Sequence, residues 1–342
     1  MNMKKILALL LVTALFIPLF SISTSALIIN DGDFGYELNT AKHEAVLVSY
    51  NGDGEYVDIP AYFRDYPVTV IDRNAFIRND KVRNVVIPET VTQVEEYAFM
   101  ECTALESVYI PANVVDFGDR VFAGCTSLKT VELLSDITKM PTNMFSGCSS
   151  LTDLTINPNI GEFSYGCFNG CSSLTDLSFV SNGAVIGNYA FNGTGAESVE
   201  LSDSLIAIPD YAFTNCPDLK YVTIPTSVIF IQPNAFDFSN ITIRCYYDSM
   251  AYIFAAENEI PYELLDGLLL GDTDGDGDIT SLDVTMIQRH EALMDVPTTL
   301  LQHPADVDED GEVTIADATY IQRFMAFMET PYKIGEKFVI PE

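Results

Sequence analysis

The plainest chemistry in this chain belongs to carboxylates at alternate positions of two short stretches near the C-terminus. Asp272, Asp274, Asp276, Asp278 and Asp283 form the first set, and Asp306, Asp308, Asp310, Glu312 and Asp317 the second. Each stretch places acids at loop positions 1, 3, 5 and 12, glycine (Gly277, Gly311) at 6 and an apolar residue (Ile279, Val313) at 8. Ca²⁺ takes about six to eight oxygens at about 2.3 to 2.6 Å, and alternate residues of a tight loop point inward together only where glycine permits the sharp turn. One Ca²⁺ per loop is therefore expected, two in all, with the backbone carbonyls of Asp278 and Glu312 as position 7 ligands and water filling a remaining site. Mg²⁺, bound to a strict octahedron, suits such a flexible loop less well. The two copies keep one constant offset, from Asp272 and Asp306 through Gly277 and Gly311 to the pairs Gln288-Arg289 and Gln322-Arg323, so they are a duplication.

A helix is expected after each loop to hold it. Ordinary EF-hands carry Glu at position 12 and a second helix before the loop, and both are missing here. Asp at position 12, one helix after each loop and two copies in residues 270 to about 331 resemble the type I dockerin module. That resemblance implies a small all-α calcium-binding domain of two EF-hand-like loop–helix units, non-catalytic, which binds a cohesin module on a scaffoldin of a cellulosome. It also implies partner contacts at loop positions 10 and 11 and at a pair further along: Ser281, Leu282, Gln288 and Arg289 in the first copy, and Ile315, Ala316, Gln322 and Arg323 in the second. The alternative for Leu282 and Ile315 is a place in the core. Residues 267–331 hold 14 acids and 2 bases, a repulsion that calcium must offset, so its expected role is structural.

Most of the remaining chain is an internal repeat. Phe76, Phe99, Phe122, Phe145, Phe168, Phe191, Phe213 and Phe236 recur at one interval, a single residue shorter between Phe191 and Phe213. Three residues after them stand Cys102, Cys125, Cys148, Cys171 and Cys216, and six after stand Leu105, Leu128, Leu151, Leu174 and Leu219. Short alternating segments follow, among them Val108–Ile110, Val131–Leu133, Leu154–Ile156, Leu177–Phe179, Val199–Leu201 and Val222–Ile224, the period of a half-buried strand. One unit cannot close a core, so the units must stack into a solenoid with a parallel sheet along one face and short helical or irregular returns. The pattern A-F-x-x-C-x-x-L-x-x-V-x-I-P resembles the BspA-like leucine-rich repeats of secreted bacterial proteins. Thr194 in place of Cys and the short interval predict one irregular rung. The cysteines at one repeat position read as a ladder of inward thiols, while Cys167 and Cys245 lie outside it and are open to pairing.

The expected organisation is a signal peptide over 1–26, an N-terminal cap over 27–56, the solenoid over 57–246, a C-terminal cap and linker over 247–266, the dockerin over 267–331 and a tail over 332–342. Lys4 and Lys5 before the uncharged run Ile6–Phe20, with Thr24 and Ala26 at a cleavage-like site, indicate secretion, and the run is too short to span a bilayer. The protein is expected outside the cell, held at a cell surface or in a complex through the scaffoldin. A net charge of −32 repels nucleic acid and anionic lipid alike.

Catalysis finds little support. His43, His290 and His303 all lie outside the solenoid repeats, and no G-x-S-x-G or H-E-x-x-H occurs. Asp153 and Asp176, one repeat apart beside Glu132, could approach the roughly 5 Å spacing of a retaining glycosidase if their strands pair, but an open sheet has nothing to exclude water. The same face offers a binding surface, with Tyr109 and Tyr221 as anchors and a protein or a glycan as ligand. The expected function is a non-catalytic binding protein of a polysaccharide-degrading complex; the alternatives are a polysaccharide-degrading enzyme or accessory, and an adhesin or protease inhibitor.

Overall fold

The computed structural model describes residues 27–247, 249–265, 269–275, 277–292, 302–308 and 310–335. The expected signal peptide, Asp248 and Asp276 lie outside them. The chain is a coil of short strands and turns with few helices, a leucine-rich repeat solenoid as its periodicity predicts. Three strands open it: β1 (Ile29–Asp31), β2 (Phe34–Asn39) and β3 (Glu44–Tyr50), paired antiparallel, after which pairing is parallel apart from one short antiparallel pair, Tyr62–Phe63 with Tyr66–Pro67.

The main sheet runs β4 (Tyr56–Asp58), β5 (Asn84–Val86), β6 (Ser107–Ile110), β7 (Thr130–Leu133) and β8 (Asp153–Ile156) in parallel register, each strand from β6 on lying one repeat after the last. Its pattern is the alternation read from the sequence: Val108, Ile110, Val131 and Leu133 are buried, and the residues between them face out. A second sheet holds β9 (Ser198–Glu200), β10 (Tyr221–Thr223), β11 (Thr242–Cys245) and β12 (Tyr262–Leu264). Helix α1 (Met250–Glu257) covers the end of the coil, and the Tyr252 N–H donates to the Ser249 hydroxyl that caps it.

The two sheets do not join, and here the structure corrects the expected strand at Leu177–Phe179. Asp176 Oδ1 accepts from the Ser178 N–H at 2.9 Å, and a 3₁₀ turn occupies Ser178–Asn182. A short acid bonding its own backbone two residues on offers a local alternative to the ladder, and with the ring of Phe179 packed on Phe163 and Phe168 that alternative prevails. The irregularity falls one rung earlier than Thr194 and the short interval suggested.

The eight phenylalanines form one column of parallel-stacked rings, with centroids 4.7 to 5.9 Å apart. Tyr50 closes its first end at 5.0 Å and Phe254 of α1 its last at 6.3 Å. The column is cornered by tight turns. The residue two before Phe has positive φ at seven rungs, from Asn74 to Tyr211, and the residue two after has it at all eight, from Arg78 to Phe238. Gly124, Gly147, Gly170 and Gly193 take four of the latter positions without the strain that Arg78 or Glu101 meets there.

The thiol ladder is equally regular. Cys102, Cys125, Cys148, Cys171 and Cys216 each donate to the carbonyl of the phenylalanine one turn back, over 3.0 to 3.3 Å. Ser239 makes the same bond to Phe213, whereas Thr194 turns to the carbonyl of its own Phe191. Six of the eight rungs thus fill the slot with a small side chain that donates this bond. The described residues include all seven cysteines, all are buried, and none forms a disulfide in this structure.

Burial pushes the thiols of Cys125, Cys148, Cys171 and Cys216 above the ordinary value of 9.0, that of Cys148 to about 12. A group whose folded value is raised contributes its full stability below its unfolded value and loses it as pH climbs toward the folded one. Each such thiol therefore removes up to about 1.4 kcal/mol per pH unit above pH 9. Urea unfolding of the reduced chain is expected to give a midpoint that holds from neutral pH to about pH 9 and falls steeply by about pH 10.5. A flat profile would contradict the buried ladder.

Candidate functional site

Each acidic loop runs into a helix, α2 (Ser281–Glu291) after the first and α3 (Ile315–Met325) after the second. Thr280 and Thr314 cap them with the same backbone angles, φ −128° and ψ 179°. Asp283 and Asp317 complete capping boxes, accepting from the Thr280 N–H at 2.6 Å and the Thr314 N–H at 2.8 Å. Sequence reasoning missed these threonines, although Thr-x-x-Asp before an apolar run is a readable signal. The position 12 acid thus has two tasks, since its other oxygen reaches back across the loop: Asp283 Oδ1 accepts from the Thr273 N–H at 2.7 Å, and Asp317 Oδ1 from the Val307 N–H at 2.7 Å.

Position 1 organises the rest. Asp272 accepts from the N–H groups of Gly275 and Gly277 at 2.8 and 2.9 Å, and Asp306 from those of Asp310 and Gly311 at 3.1 and 2.9 Å. Gly277 and Gly311 both stand at φ +91°, where a Cβ would meet open space, so conformation and not crowding demands glycine. Asp272, Asp274 and Asp283 bring carboxylate oxygens within 4.8 Å of one another, and Asp306, Asp308 and Asp317 do the same. Of the other predicted ligands, Asp310 turns its carboxylate to the Glu312 N–H at 2.9 Å, Asp278 and Glu312 contribute no carboxylate to either cluster, and Asp276 lies outside the described residues.

Asp272, Asp283 and Asp317 are fully buried, and Asp308 Oδ1 is a buried oxygen with no hydrogen-bond partner. Burial, then the facing Asp283 and Asp274, raise the Asp272 carboxyl; burial, then Asp317 and Asp310, raise Asp308. Three converging acids with an orphaned oxygen are a hard, oxygen-only donor set, which fits Ca²⁺. The hydrophobic core beneath is small: Val284 and Ile287 of α2 meet Ala318 and Ile321 of α3, with Ala305, Val307 and Ile334.

The predicted partner residues lie on these two helices. Ser281, Leu282, Gln288, Ile315 and Gln322 are exposed, and Ala316, Arg289 and Arg323 are half-buried. Leu282 and Ile315 are each 52% exposed, which excludes the core placement. Arg323 Nη2 donates to the Glu329 carbonyl at 2.7 Å.

On the solenoid, Tyr109 is half-buried between Val86 and Glu132 on neighbouring strands. Tyr221 carries the Arg244 guanidinium 3.9 Å above its ring, so that face is covered. Asp153 and Asp176, both exposed, are not strand neighbours: Asp153 ends the main sheet and Asp176 opens the turn beyond it. The paired-carboxylate geometry of a glycosidase therefore does not form through strand pairing. Among the described residues no helix is long and apolar enough to cross a membrane.

A family model described as the BspA type leucine rich repeat region matches residues 69–195 and 184–256, in six copies, and a second, described as the dockerin type I domain, matches residues 270–326. Among solved structures, a leucine-rich cell surface protein from Faecalibacterium prausnitzii is 23% identical, over 64% of this chain and 78% of the other, with a TM-score of 0.43. A leucine-rich repeat protein from T. pallidum is 22% identical, over 59% and 85%, with a TM-score of 0.46. A leucine-rich repeat protein from Bacteroides ovatus is 21% identical, over 64% and 70%, with a TM-score of 0.41. No curated protein matches the chain.

Proposed function

We propose, from the premise that the chain belongs to the BspA-type leucine-rich repeat family and carries a type I dockerin domain, that it is a secreted, non-catalytic binding protein of a cellulosome-like assembly. Its dockerin docks onto a cohesin module of a scaffoldin, and its solenoid recognises a protein or glycan in plant cell-wall degradation. The observation that carries this reading is the duplicated centre, in which acids 1, 3 and 12 converge under matching helix caps while Leu282 and Ile315 stay exposed beside them. Two Ca²⁺ would be held by Asp272, Asp274 and Asp283 and by Asp306, Asp308 and Asp317, with Asp276, Asp310 and the carbonyls of Asp278 and Glu312 completing the shells. Bound calcium supplies charge neutralisation, and the chain's own residues then fix the two helices whose outer faces meet the partner. Neither matched family is catalytic.

The test is capture of the full chain on immobilised cohesin. Retention is expected in millimolar calcium and is expected to weaken at least about a hundredfold in excess chelator, because the ion binds the folded dockerin only. Capture that persists in chelator would sink the reading. The chain so immobilised is further expected to retain a protein or glycan from cultures grown on plant polysaccharide.

A further inference from the structure

The break in the main sheet leaves an edge in the middle of the solenoid. Along a parallel strand the backbone groups face alternate sides, and the Asp153 N–H points to β7, donating to the Lys129 carbonyl at 3.0 Å. Leu154 and Ile156 must then turn their N–H and C=O groups the other way, toward the rung that became a 3₁₀ turn. Among the described residues no backbone group pairs with them. Burial changes here too: Leu154 and Ile156 are half-buried, whereas Val131 and Leu133 at the same positions of β7 are fully buried. A strand edge whose backbone groups have no protein partner is a template for an extended segment that can bond them.

The charge around this edge selects the occupant. At the start of the sheet the acids are paired, in a ladder from Glu55 through Arg83 and Glu106 to Lys129. Residues 130–219 hold ten acids and a single base, Lys139, which pairs with Glu162 at 2.7 Å. Glu132, Asp153, Asp176 and Glu200 thus rim the gap, exposed and with no cation within salt-bridge distance among the described residues.

We propose that the free edge of β8 is a docking site for an extended, lysine- or arginine-bearing peptide segment of a partner protein. Its backbone pairs with Leu154 and Ile156, and its cationic side chains meet Asp153 and Asp176. This deepens the reading of the solenoid as the recognition part of the chain and is independent of the dockerin.

The test titrates the full chain in calcium with a fluorescent peptide of alternating lysine and valine. Controls are the same peptide N-methylated at alternate amides, an alternating glutamate and valine peptide, and a soluble neutral β-glucan. Saturable binding is expected for the lysine peptide alone. It should weaken about tenfold in the double variant Asp153→Asn/Asp176→Asn, whose exposed positions leave the core intact, and the lysine peptide should slow amide hydrogen exchange at Leu154 and Ile156. Equal binding of the N-methylated peptide, unchanged exchange at those amides, or binding of the glucan without the peptide would each overturn the proposal. Cohesin capture does not involve this edge, so failure there is read separately.

Discussion

Replacing Asp272 and Asp306 together by alanine is expected to abolish both calcium-stabilised folding of the dockerin and capture by cohesin. Each residue is the hub of its loop, bonding two backbone N–H groups while facing the carboxylates at positions 3 and 12. An ion that binds only the folded form adds about 4 kcal/mol at a thousandfold excess over its Kd, so two sites supply about 8 kcal/mol, which the double variant forfeits. The core of the domain, a handful of residues between α2 and α3, cannot replace that. The measurement is helical circular dichroism and thermal unfolding of wild type and variant with and without calcium. A variant that still gains stability from calcium would remove these residues from the site.

The acids also give that centre a pH dependence. Asp272 and Asp308 are raised above the carboxylate value of 3.8 by burial and by neighbouring acids, so in the metal-free fold they favour the proton. Their contribution to metal-free stability is present below 3.8 and is lost as pH rises through the raised folded value. On the proposed reading, Ca²⁺ would offset that loss above it, and protons would compete with the ion for the same oxygens.

Phe145→Ala is expected to cost about 3 to 5 kcal/mol, the range for emptying a fully packed aromatic site. Its ring lies between Phe122 at 5.6 Å and Phe168 at 5.7 Å, with no exposure, so the void cannot be filled by solvent or by a neighbour's rotation. In a stack whose rungs contact only their neighbours, the loss is felt as weakened coupling between the two halves. Equilibrium denaturation should show a lower midpoint and, if the halves uncouple, two transitions. Phe145→Leu should recover most of the loss, and a midpoint unchanged by Phe145→Ala would contradict the ladder.

The repeat period, the inward columns of Phe, Cys and Leu, and both acidic loops were legible in the sequence, because each depends on spacing along the chain and recurs with it. A residue type that recurs at one position of a stacked unit must occupy one column, and glycine at position 6 of a loop flanked by alternate acids allows few other conformations. What only the tertiary structure decided rests on competition between local and distant partners. Leu177–Phe179 carries the strand pattern, yet Asp176 bonds its own backbone and the packing of Phe179 holds the turn, so the sheet divides. Asp310 obeys the ligand spacing but turns to the Glu312 amide, and Tyr221 obeys the exposed period but lies beneath Arg244. Periodicity states which side of the coil a residue faces. Whether its polar atoms meet a neighbour on the adjacent rung or one close by in the chain depends on the free energy of two alternative bonds, and that becomes visible only when the rungs are stacked.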